Sequence, residues 1–554
     1  MIDGKRACVA RDCRGGSIGG EKGEGDEVSS NWTVAAAAPA EARPRRAGWL
    51  GFYAFAATIA LLAAQALVAG RLELTFDEAY YTLWSRSLSF GYLDHPPMIA
   101  LLIRSSTALF GGSEFGVRGL SLLFVGAMPA LIALIAWRLF DSAEKAALAA
   151  LMWIAMPLVL IGAVFVTPDA PLVIFWTLGV AALVELWRSG EARWLIALGV
   201  ALGLALQSKF TAVFFAAGVG LALVAAPSLR RWLASPALVA GLVVALAIFA
   251  PFVAWNAAHG WATFAKQLGR APPTGFAPFY LAEFLVSQVA LINPLVFAAL
   301  IPAVAAIVRR ATVAPGSRDE ARRILGCTIA PAAAYFLFHS LHDRVQGNWL
   351  APLYPAVAVL AADWVIEVRR AGAVGLSALA ARAALWAAPV GLVFAALAFA
   401  EILTGAVPLG PVDPLARLEG FRALARDLDA RARASHAPYV LTQGYALTSL
   451  MTYYGDPAIA VVQPEQRMRW IFEPEPAETL FAAPGLALGE PGRRFDLSLG
   501  MRFRQVEPAG VLERRGAAGE VEVYELYRVA DPYAPVLDPV CARGEVDLER
   551  RCAS

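Results

Sequence analysis

The chain has 554 residues, of which 58% are hydrophobic and 17% are charged, and its formal net charge is +2. Its mean hydropathy of +0.57 predicts an integral membrane protein and excludes an ordinary soluble domain. The nearly balanced charge gives no indication of nucleic-acid binding.

Residues 1–47 are polar and rich in Gly and Ala, and no apolar segment of signal-peptide length precedes Trp49. We predict that they form a disordered cytoplasmic tail. Cys8 and Cys13 lie in this tail without a nearby His or a further Cys. Such a pair is a weak metal signal, and we predict no metal site there.

Apolar runs long enough to cross a bilayer recur from residue 48 to residue 404 and predict about eleven spans. They are 48–70, 117–140, 145–165, 170–187, 194–208, 210–227, 236–255, 287–308, 324–341, 349–366 and 383–404. Positive charges set the orientation, because cytoplasmic connections are rich in Lys and Arg. Arg43, Arg45 and Arg46 precede the first span, and most later Lys/Arg clusters fall on the same side. We therefore predict a cytoplasmic N-terminus and a C-terminus outside.

The first outer connection, residues 75–97, contains the carboxylates Asp77, Glu78 and Asp94 between two apolar segments. Ionisable groups beside a span are costly unless they face water, a partner or a substrate. A solvated loop is the simple interpretation. Capping a helix needs only one acid, so the Asp77–Glu78 pair favours general-base chemistry, metal binding or recognition of sugar hydroxyls.

The same connection has a helical pattern. From Asp77 to Leu88 its aromatic and apolar residues form one broad face, which predicts a helix lying along the membrane surface. The acidic residues at its beginning suit the positive end of the helix dipole. Pro96 and Pro97 then start a second short helix, predicted from Met98 to Phe110.

Three isolated charges lie in other outer connections. Asp169 follows Pro168, where a helix cap and a site residue are both open alternatives. Lys209 interrupts an apolar run, and since an unpaired ammonium there is costly, we expect it to have an anionic partner. Arg344 lies similarly between two spans. A lysine and an arginine at this face suit a lipid phosphate, and snorkelling to lipid headgroups is the alternative for both.

Residues 405–554 are predicted to form a small α/β domain outside the membrane. Helices are predicted over 413–434 and 445–454, and strands over 438–442, 458–462 and 521–529. Cys541 and Cys552 lie in this part. In an oxidising periplasm they pair as a disulfide or remain two free thiols, and both alternatives are open.

Five short motifs follow one another along the chain. They are Asp77-Glu78-Ala79-x-Tyr81, Asp94-His95-Pro96-Pro97-Met98, Pro168-Asp169, Ser208-Lys209-Phe210 and Asn348-Trp349. In this order and on one predicted side, they resemble glycosyltransferase family 39, which includes the protein O-mannosyltransferases and the bacterial lipid A aminoarabinose transferases. The resemblance covers residues 48–404 and extends more loosely into the tail, where residues 445–455 are similar to the outer domain of the family.

The resemblance implies a multi-span α-helical glycosyltransferase of the GT-C type in the bacterial inner membrane. Such enzymes transfer a sugar, with inversion, from a polyprenyl-phosphate donor to an acceptor. Asp77 would then lie nearest the reaction, with Glu78 and Asp169 as further catalytic acids, and Lys209 and Arg344 would bind the donor phosphate. Fixed cations stabilise a phosphate leaving group, so no covalent enzyme nucleophile is required. We predict no cofactor and no essential metal.

The chain departs from the aminoarabinose transferases at two positions. It has Tyr80 after Asp-Glu-Ala, where that branch has an arginine, and His95 before Pro-Pro, where that branch has a lysine. We predict that these two residues, with Tyr81 and Asp94, bind donor or acceptor. The departures leave the sugar open, and we favour lipopolysaccharide, lipid A or another envelope glycan over a protein as acceptor.

Two other functional classes compete with this interpretation. A secondary transporter would bind its substrate near the bilayer midplane, but the sequence shows neither paired repeats nor a charge in the middle of a predicted span. A polysaccharide polymerase or flippase would also carry a large outer loop. It would not predict an acidic pair at the start of the first outer connection.

Overall fold

The computed structural model describes residues 42–269, 275–310, 312–406, 418–516 and 521–540. The predicted tail up to residue 41 and the cysteines Cys8, Cys13, Cys541 and Cys552 lie outside these ranges. The first helix begins at Ala42, so the predicted end of the tail at residue 47 falls inside a helix. Ala and Arg are good helix formers, and they extend the helix ahead of its apolar part.

Helices make up most of the described chain as far as residue 404. In chain order they are α1 (Ala42–Ala69), α2 (Phe76–Arg86), α3 (Met98–Phe110), α4 (Glu114–Phe140), α5 (Ala143–Ile154), α6 (Pro157–Leu160), α7 (Asp169–Ser189), α8 (Arg193–Ser208), α9 (Val213–Ala225), α10 (Pro236–Ala258), α11 (Ala262–Leu268), α12 (Phe279–Ile292), α13 (Pro294–Val308), α14 (Arg318–His339), α15 (Tyr354–Arg370), α16 (Leu376–Ala384) and α17 (Ala387–Thr404). A 3₁₀ turn, Gly347–Leu353, leads into α15. One large apolar core extends from α1 to α17.

Fewer helices than predicted meet the length and composition of a membrane span. Within the described ranges, six helices do so, and the number rises to eight if two bent pairs each count as one span. These pairs are α5 with residues 157–164, bent by 68°, and α12 with α13, bent by 109°. The prediction of about eleven spans is therefore not confirmed. Helices α8 and α9 are too short to count, and α14 begins with the charged run Arg318–Arg323.

Charged side chains link helices inside this bundle. Lys145, at the start of α5, is only 1% exposed and donates to the carboxylates of Asp363 (2.6 Å) and Glu367 (2.5 Å) in α15. Arg322 of α14 donates to Asp363 as well, at 2.7 Å. A buried charge is tolerated only when it is paired. The pairs formed by Lys145 and Arg322 therefore hold α5 and α14 to α15.

The acid loop, which we define as residues 75–97, contains α2 and leads into α3. A reciprocal capping box starts α2: the amide of Glu78 donates to Thr75 Oγ1 (3.2 Å), and the amide of Thr75 donates to the Glu78 carboxylate (3.0 Å). The predicted helix from Asp77 to Leu88 is thus observed as Phe76–Arg86, and the predicted helix Met98–Phe110 is confirmed. Residues 78–85 are all buried, so α2 is enclosed by protein and its apolar face does not lie open to a membrane surface.

The C-terminal region, residues 418–540, contains a five-stranded sheet in the order β2-β1-β3-β5-β4. Its elements are α18 (Phe421–Ala434), β1 (Tyr439–Thr442), α19 (Tyr445–Tyr454), β2 (Ala460–Val462), β3 (Gly485–Gly489), α20 (Phe495–Gly500), β4 (Phe503–Arg515) and β5 (Val521–Pro532). Strand β1 pairs in parallel with β2 and β3, whereas β5 is antiparallel to β3 and β4. Three of the five strands and α19 were predicted. That the region forms a separate domain outside the membrane stays a prediction.

The C-terminal region packs directly on the acid loop. Tyr80 and Trp84 of α2 share one buried apolar cluster with Leu450 of α19 and Leu526 of β5. Burial of aromatic side chains stabilises such an interface by a large apolar area and by ring contacts. The ring of Trp84 stacks on Tyr92 at a centroid distance of 4.1 Å. The acid loop is therefore held between the helical bundle and the C-terminal region.

Candidate active site

Asp77 lies in the first turn of α2, at the contact with the C-terminal region. Its carboxylate accepts a hydrogen bond from the hydroxyl of Tyr445 at 3.2 Å. Burial raises the pKa of Asp77 to about 6; the Tyr445 hydroxyl lowers this pKa and the carboxylate of Asp94 raises it further. A carboxylate with this pKa is a suitable general base close to neutral pH.

Glu78 is held differently, although it follows Asp77 directly. Its side chain is fully buried, and Arg118 of α4 donates to both carboxylate oxygens at 2.7 Å. The amide of Val166 donates to Glu78 as well (2.9 Å), in addition to the capping contact with Thr75. Both oxygens are therefore occupied by protein donors. Glu78 thus anchors α2 to α4 and to the segment before α7, and its role as a further catalytic acid stays a prediction.

Asp94, at the other end of the acid loop, is an ion-paired acid. Lys266 of α11 lies 2.5 Å from one carboxylate oxygen, and Arg469 of the C-terminal region donates to the other at 2.6 Å. Burial alone would raise the pKa of Asp94, but Arg469 and Lys266 outweigh it and hold the pKa well below its usual range. Asp94 is therefore ionised at neutral pH and joins three separate parts of the chain.

Arg469 connects this ion pair to the group that binds Asp77. Its guanidinium lies over the ring of Tyr445, at 4.3 Å from the ring centroid. Its backbone carbonyl accepts a hydrogen bond from the hydroxyl of Tyr80 at 3.1 Å. Neither Arg469 nor Lys266 was predicted as a site residue, because neither lies in a motif or in a regular apolar pattern.

Three aromatic side chains predicted to bind substrate lie around these acids. Tyr80 is 1% exposed and packs among the rings of Trp84 and Tyr445, so it belongs to the interface with the C-terminal region and not to an open surface. Tyr81 is also buried, and its ring contacts that of His95 at 6.1 Å between centroids. His95 is half-buried beside Asp94, and its predicted role in substrate binding stays a prediction.

Asp169 and Lys209 form a second cluster together with Asn348. Lys209 Nζ lies 2.7 Å from one carboxylate oxygen of Asp169, and the amide of Asn348 donates to the other oxygen at 2.7 Å. The expectation that Lys209 has an anionic partner is confirmed. Asp169 and Asn348 line a mainly apolar cavity of about 240 Å³, which Phe165 and Tyr354 also border.

One short segment joins the two clusters. Val166, which donates to Glu78, lies three residues before Asp169 at the start of α7. Glu78, which follows Asp77 in the sequence, is also paired with Arg118. The hydrogen bond between Val166 and Glu78 therefore connects the acid loop to the segment that leads to Asp169.

Arg344 lies apart from these groups. Its side chain is 65% exposed and pairs with Glu283 at 2.5 Å. A phosphate bound by Arg344 would have to compete with this carboxylate. The prediction that Arg344 and Lys209 bind one phosphate together stays a prediction.

No group of three or more His, Cys, Asp or Glu side chains is arranged to hold a metal ion in the part of the chain that the structure describes. The expectation that the protein needs no metal stays a prediction.

Comparison with known proteins supports the family assignment. Residues 94–255, which include Asp94, His95, Asp169 and Lys209, match the family model described as dolichyl-phosphate-mannose-protein mannosyltransferase. The predicted resemblance to glycosyltransferase family 39 is confirmed. Over 296 residues the chain is 26% identical to the lipid A galacturonosyltransferase RgtD of Rhizobium johnstonii. That match spans 53% of this chain and 60% of the rhizobial enzyme.

The fold is also shared with a solved membrane enzyme. The structure of ArnT from Cupriavidus metallidurans in the apo state is similar with a TM-score of 0.59 and 17% identity, covering 89% of this chain and 100% of ArnT. The same enzyme bound to undecaprenyl phosphate gives a TM-score of 0.58. The chain therefore has the GT-C membrane glycosyltransferase fold.

Proposed function

We propose that this protein is a membrane glycosyltransferase that moves a sugar, with inversion, from a polyprenyl-phosphate donor to a lipid or glycan acceptor of the cell envelope. The observation that carries the proposal is the different pairing of the four acids. Glu78, Asp94 and Asp169 each lie against a cation. Asp77 instead accepts a hydrogen bond from the neutral hydroxyl of Tyr445.

This difference assigns the chemistry. A carboxylate paired with Lys or Arg is a weak base, whereas the pKa of Asp77 is raised to about 6 by burial. In the proposed reaction Asp77 takes the proton of the acceptor hydroxyl. The acceptor oxygen then bonds to the anomeric carbon as the bond between that carbon and the phosphate oxygen breaks. The electron pair of the broken bond leaves with the polyprenyl phosphate.

The cations held on Asp94 and Asp169 suit the leaving group. Lys266 and Arg469 are held on Asp94, and Lys209 is held on Asp169. Fixed positive charges stabilise negative charge that develops on a phosphate oxygen, and they act without reorganising during the reaction. In this proposal Asp77 acts as the base and Lys209 binds the donor phosphate, as expected from the sequence, whereas Asp169 holds Lys209 in position.

The relatives support the proposed donor and acceptor. The rhizobial relative is a lipid A galacturonosyltransferase, and the solved structure of ArnT contains undecaprenyl phosphate. Both support a polyprenyl-phosphate donor and a lipid A or envelope-glycan acceptor for this chain. We further propose that the site faces the outer side of the inner membrane and that the N-terminus is cytoplasmic. The transporter and the polymerase or flippase alternatives are not favoured.

The test is transfer by the purified full chain in lipid nanodiscs. Polyprenyl-phosphate donors carrying galacturonate, mannose or aminoarabinose are offered with lipid A, and the product is detected by mass spectrometry. D77N is expected to lower kcat by about 10²-fold or more, as for loss of a general base. The exposed carboxylate of Asp427 gives a matched control, D427N. Wild-type activity in D77N would disprove the assignment of the base, and no transfer by the wild type from any of these donors would contradict the proposed function.

A further inference from the structure

A second cavity opens between helices α1, α5, α15 and α17. It is a groove of about 810 Å³, and most of its wall is apolar. Its wall includes Leu50, Leu148, Leu151, Met152, Ile366 and Leu385. We call it the lower groove. Three of the four helices, α1, α15 with its preceding turn and α17, have the length and composition of membrane spans, so the natural occupant of the groove is a hydrocarbon chain.

The lower groove lies far from the active site. Asn348, which donates to Asp169, lies in the turn just before α15, whereas Ile366 and Arg369 of the groove lie near the end of this helix. Since α15 has 17 residues, the helix is about 25 Å long. A ligand in the lower groove therefore touches neither Asp77 nor Asp169.

The mouth of the groove has the composition of a membrane–water interface. Trp49 is 71% exposed and Tyr53 is 44% exposed, and both line the groove. Trp and Tyr are enriched at the level of lipid headgroups, where an apolar ring with a polar tip is favoured. The mouth is thus placed where a lipid headgroup would lie.

The charges at the mouth favour an anionic headgroup. Glu144 and Arg369 both line the groove, but Arg370 donates to the Glu144 carboxylate at 3.2 Å and balances its charge. Arg369 is exposed, and no ion pair with it forms among the residues that the structure describes. One basic side chain therefore remains available beside the apolar wall. Basic pockets between membrane helices are typical sites for anionic lipid headgroups.

We propose that the lower groove binds an anionic phospholipid of the surrounding membrane. Its acyl chains lie along the wall formed by α5 and α15, and its phosphate contacts Arg369. The proposal is independent of the proposed transferase activity.

The test is a binding titration of the delipidated full chain in mild detergent, followed by native mass spectrometry. The probes are phosphatidylglycerol, phosphatidylcholine and inorganic phosphate. The test variant is R369Q. The control is R382Q, which changes another exposed arginine outside the groove wall. We expect phosphatidylglycerol to bind more tightly than phosphatidylcholine. R369Q should weaken phosphatidylglycerol about fivefold and leave phosphatidylcholine unchanged, since one basic residue contributes on the order of 1 kcal/mol.

A groove-filling variant, A388F, provides a second measurement. Ala388 is buried in the wall of the groove, so a phenyl ring there should reduce the number of phospholipids retained. The proposal is overturned if the two phospholipids bind equally, if R369Q and R382Q behave alike, or if inorganic phosphate alone competes fully with phosphatidylglycerol.

Discussion

Removing the hydroxyl of Tyr445 should shift the pH dependence of the proposed transferase without removing its base. This hydroxyl donates to Asp77 at 3.2 Å and lowers the pKa of the carboxyl. Without it, the pKa of Asp77 rises above its value of about 6. A hydrogen bond to a charged group contributes about 1.5 kcal/mol at the weaker end of the range, which equals about one pKa unit. In Y445F the acidic limb of the profile is therefore expected near pH 7.

The assay is the initial rate of sugar transfer in nanodiscs between pH 5 and pH 9. Only ionised Asp77 accepts the proton, so kcat/KM falls as the pH drops through the pKa. At pH 6, where half of the wild-type carboxyl is ionised, Y445F should be about fivefold slower for a shift of one unit. Well above pH 8 the two enzymes should differ by less than about twofold.

The variant and its control separate this electrostatic effect from a structural one. The phenyl ring of Y445F keeps the contacts of Tyr445 with Phe76 and Tyr80. The control, Y454F, lies on the same helix. The hydroxyl of Tyr454 bonds Leu74 and Glu114 and not Asp77, so the acidic limb of Y454F should coincide with that of the wild type. An equal loss of rate at every pH in Y445F, or an unchanged profile, would refute the reasoning.

Three further variants test the pairing of the other charges. D77N should raise the melting temperature at pH 7.5, because burial raises the pKa of Asp77 from 3.8 to about 6. Ionisation of the buried carboxyl at that pH opposes folding by up to about 3 kcal/mol, and this penalty is absent below about pH 4. K209M should destabilise the fold by about 3 kcal/mol in thermal unfolding, because it leaves the carboxylate of Asp169 without its lysine. The double variant K209M/D169N should regain much of the stability but not the donor affinity. R344A should change the stability by less than about 1 kcal/mol, since the pair with Glu283 is exposed; an unchanged donor affinity would exclude Arg344 as a phosphate ligand.

Local signals predicted the acid loop well. The predicted α3 has the observed bounds because two prolines mark its start and its apolar residues follow a helical period. Helix α2 was found because acids precede an aromatic face, and the capping box with Thr75 then fixes its first turn. The partner of Lys209 was expected on energetic grounds, since an ammonium in an apolar run must be paired.

The pairing of the acids could not be predicted in the same way. Arg118 is 40 positions from Glu78, and Arg469 is 375 positions from Asp94. Such contacts depend on how the helices and the C-terminal region pack, and they leave no periodic pattern in the sequence. For this reason the sequence indicated that Asp77 lies nearest the reaction, but it did not show that Glu78 is paired with Arg118. The number of spans was not confirmed for a related reason, because an apolar run does not show whether its helix bends or ends early.

The raised pKa of Asp77 depends on a part of the chain far from it in sequence. The hydroxyl of Tyr445 donates to the carboxylate of Asp77. Arg469 pairs with Asp94, and its guanidinium also lies over the ring of Tyr445. Without the C-terminal region, water would reach the first turn of α2 and the pKa of Asp77 would return toward that of an exposed carboxyl. A base of that strength would be less effective at accepting a proton from a sugar hydroxyl. The C-terminal region therefore serves the proposed chemistry directly, because it contributes to the burial that raises the pKa of Asp77.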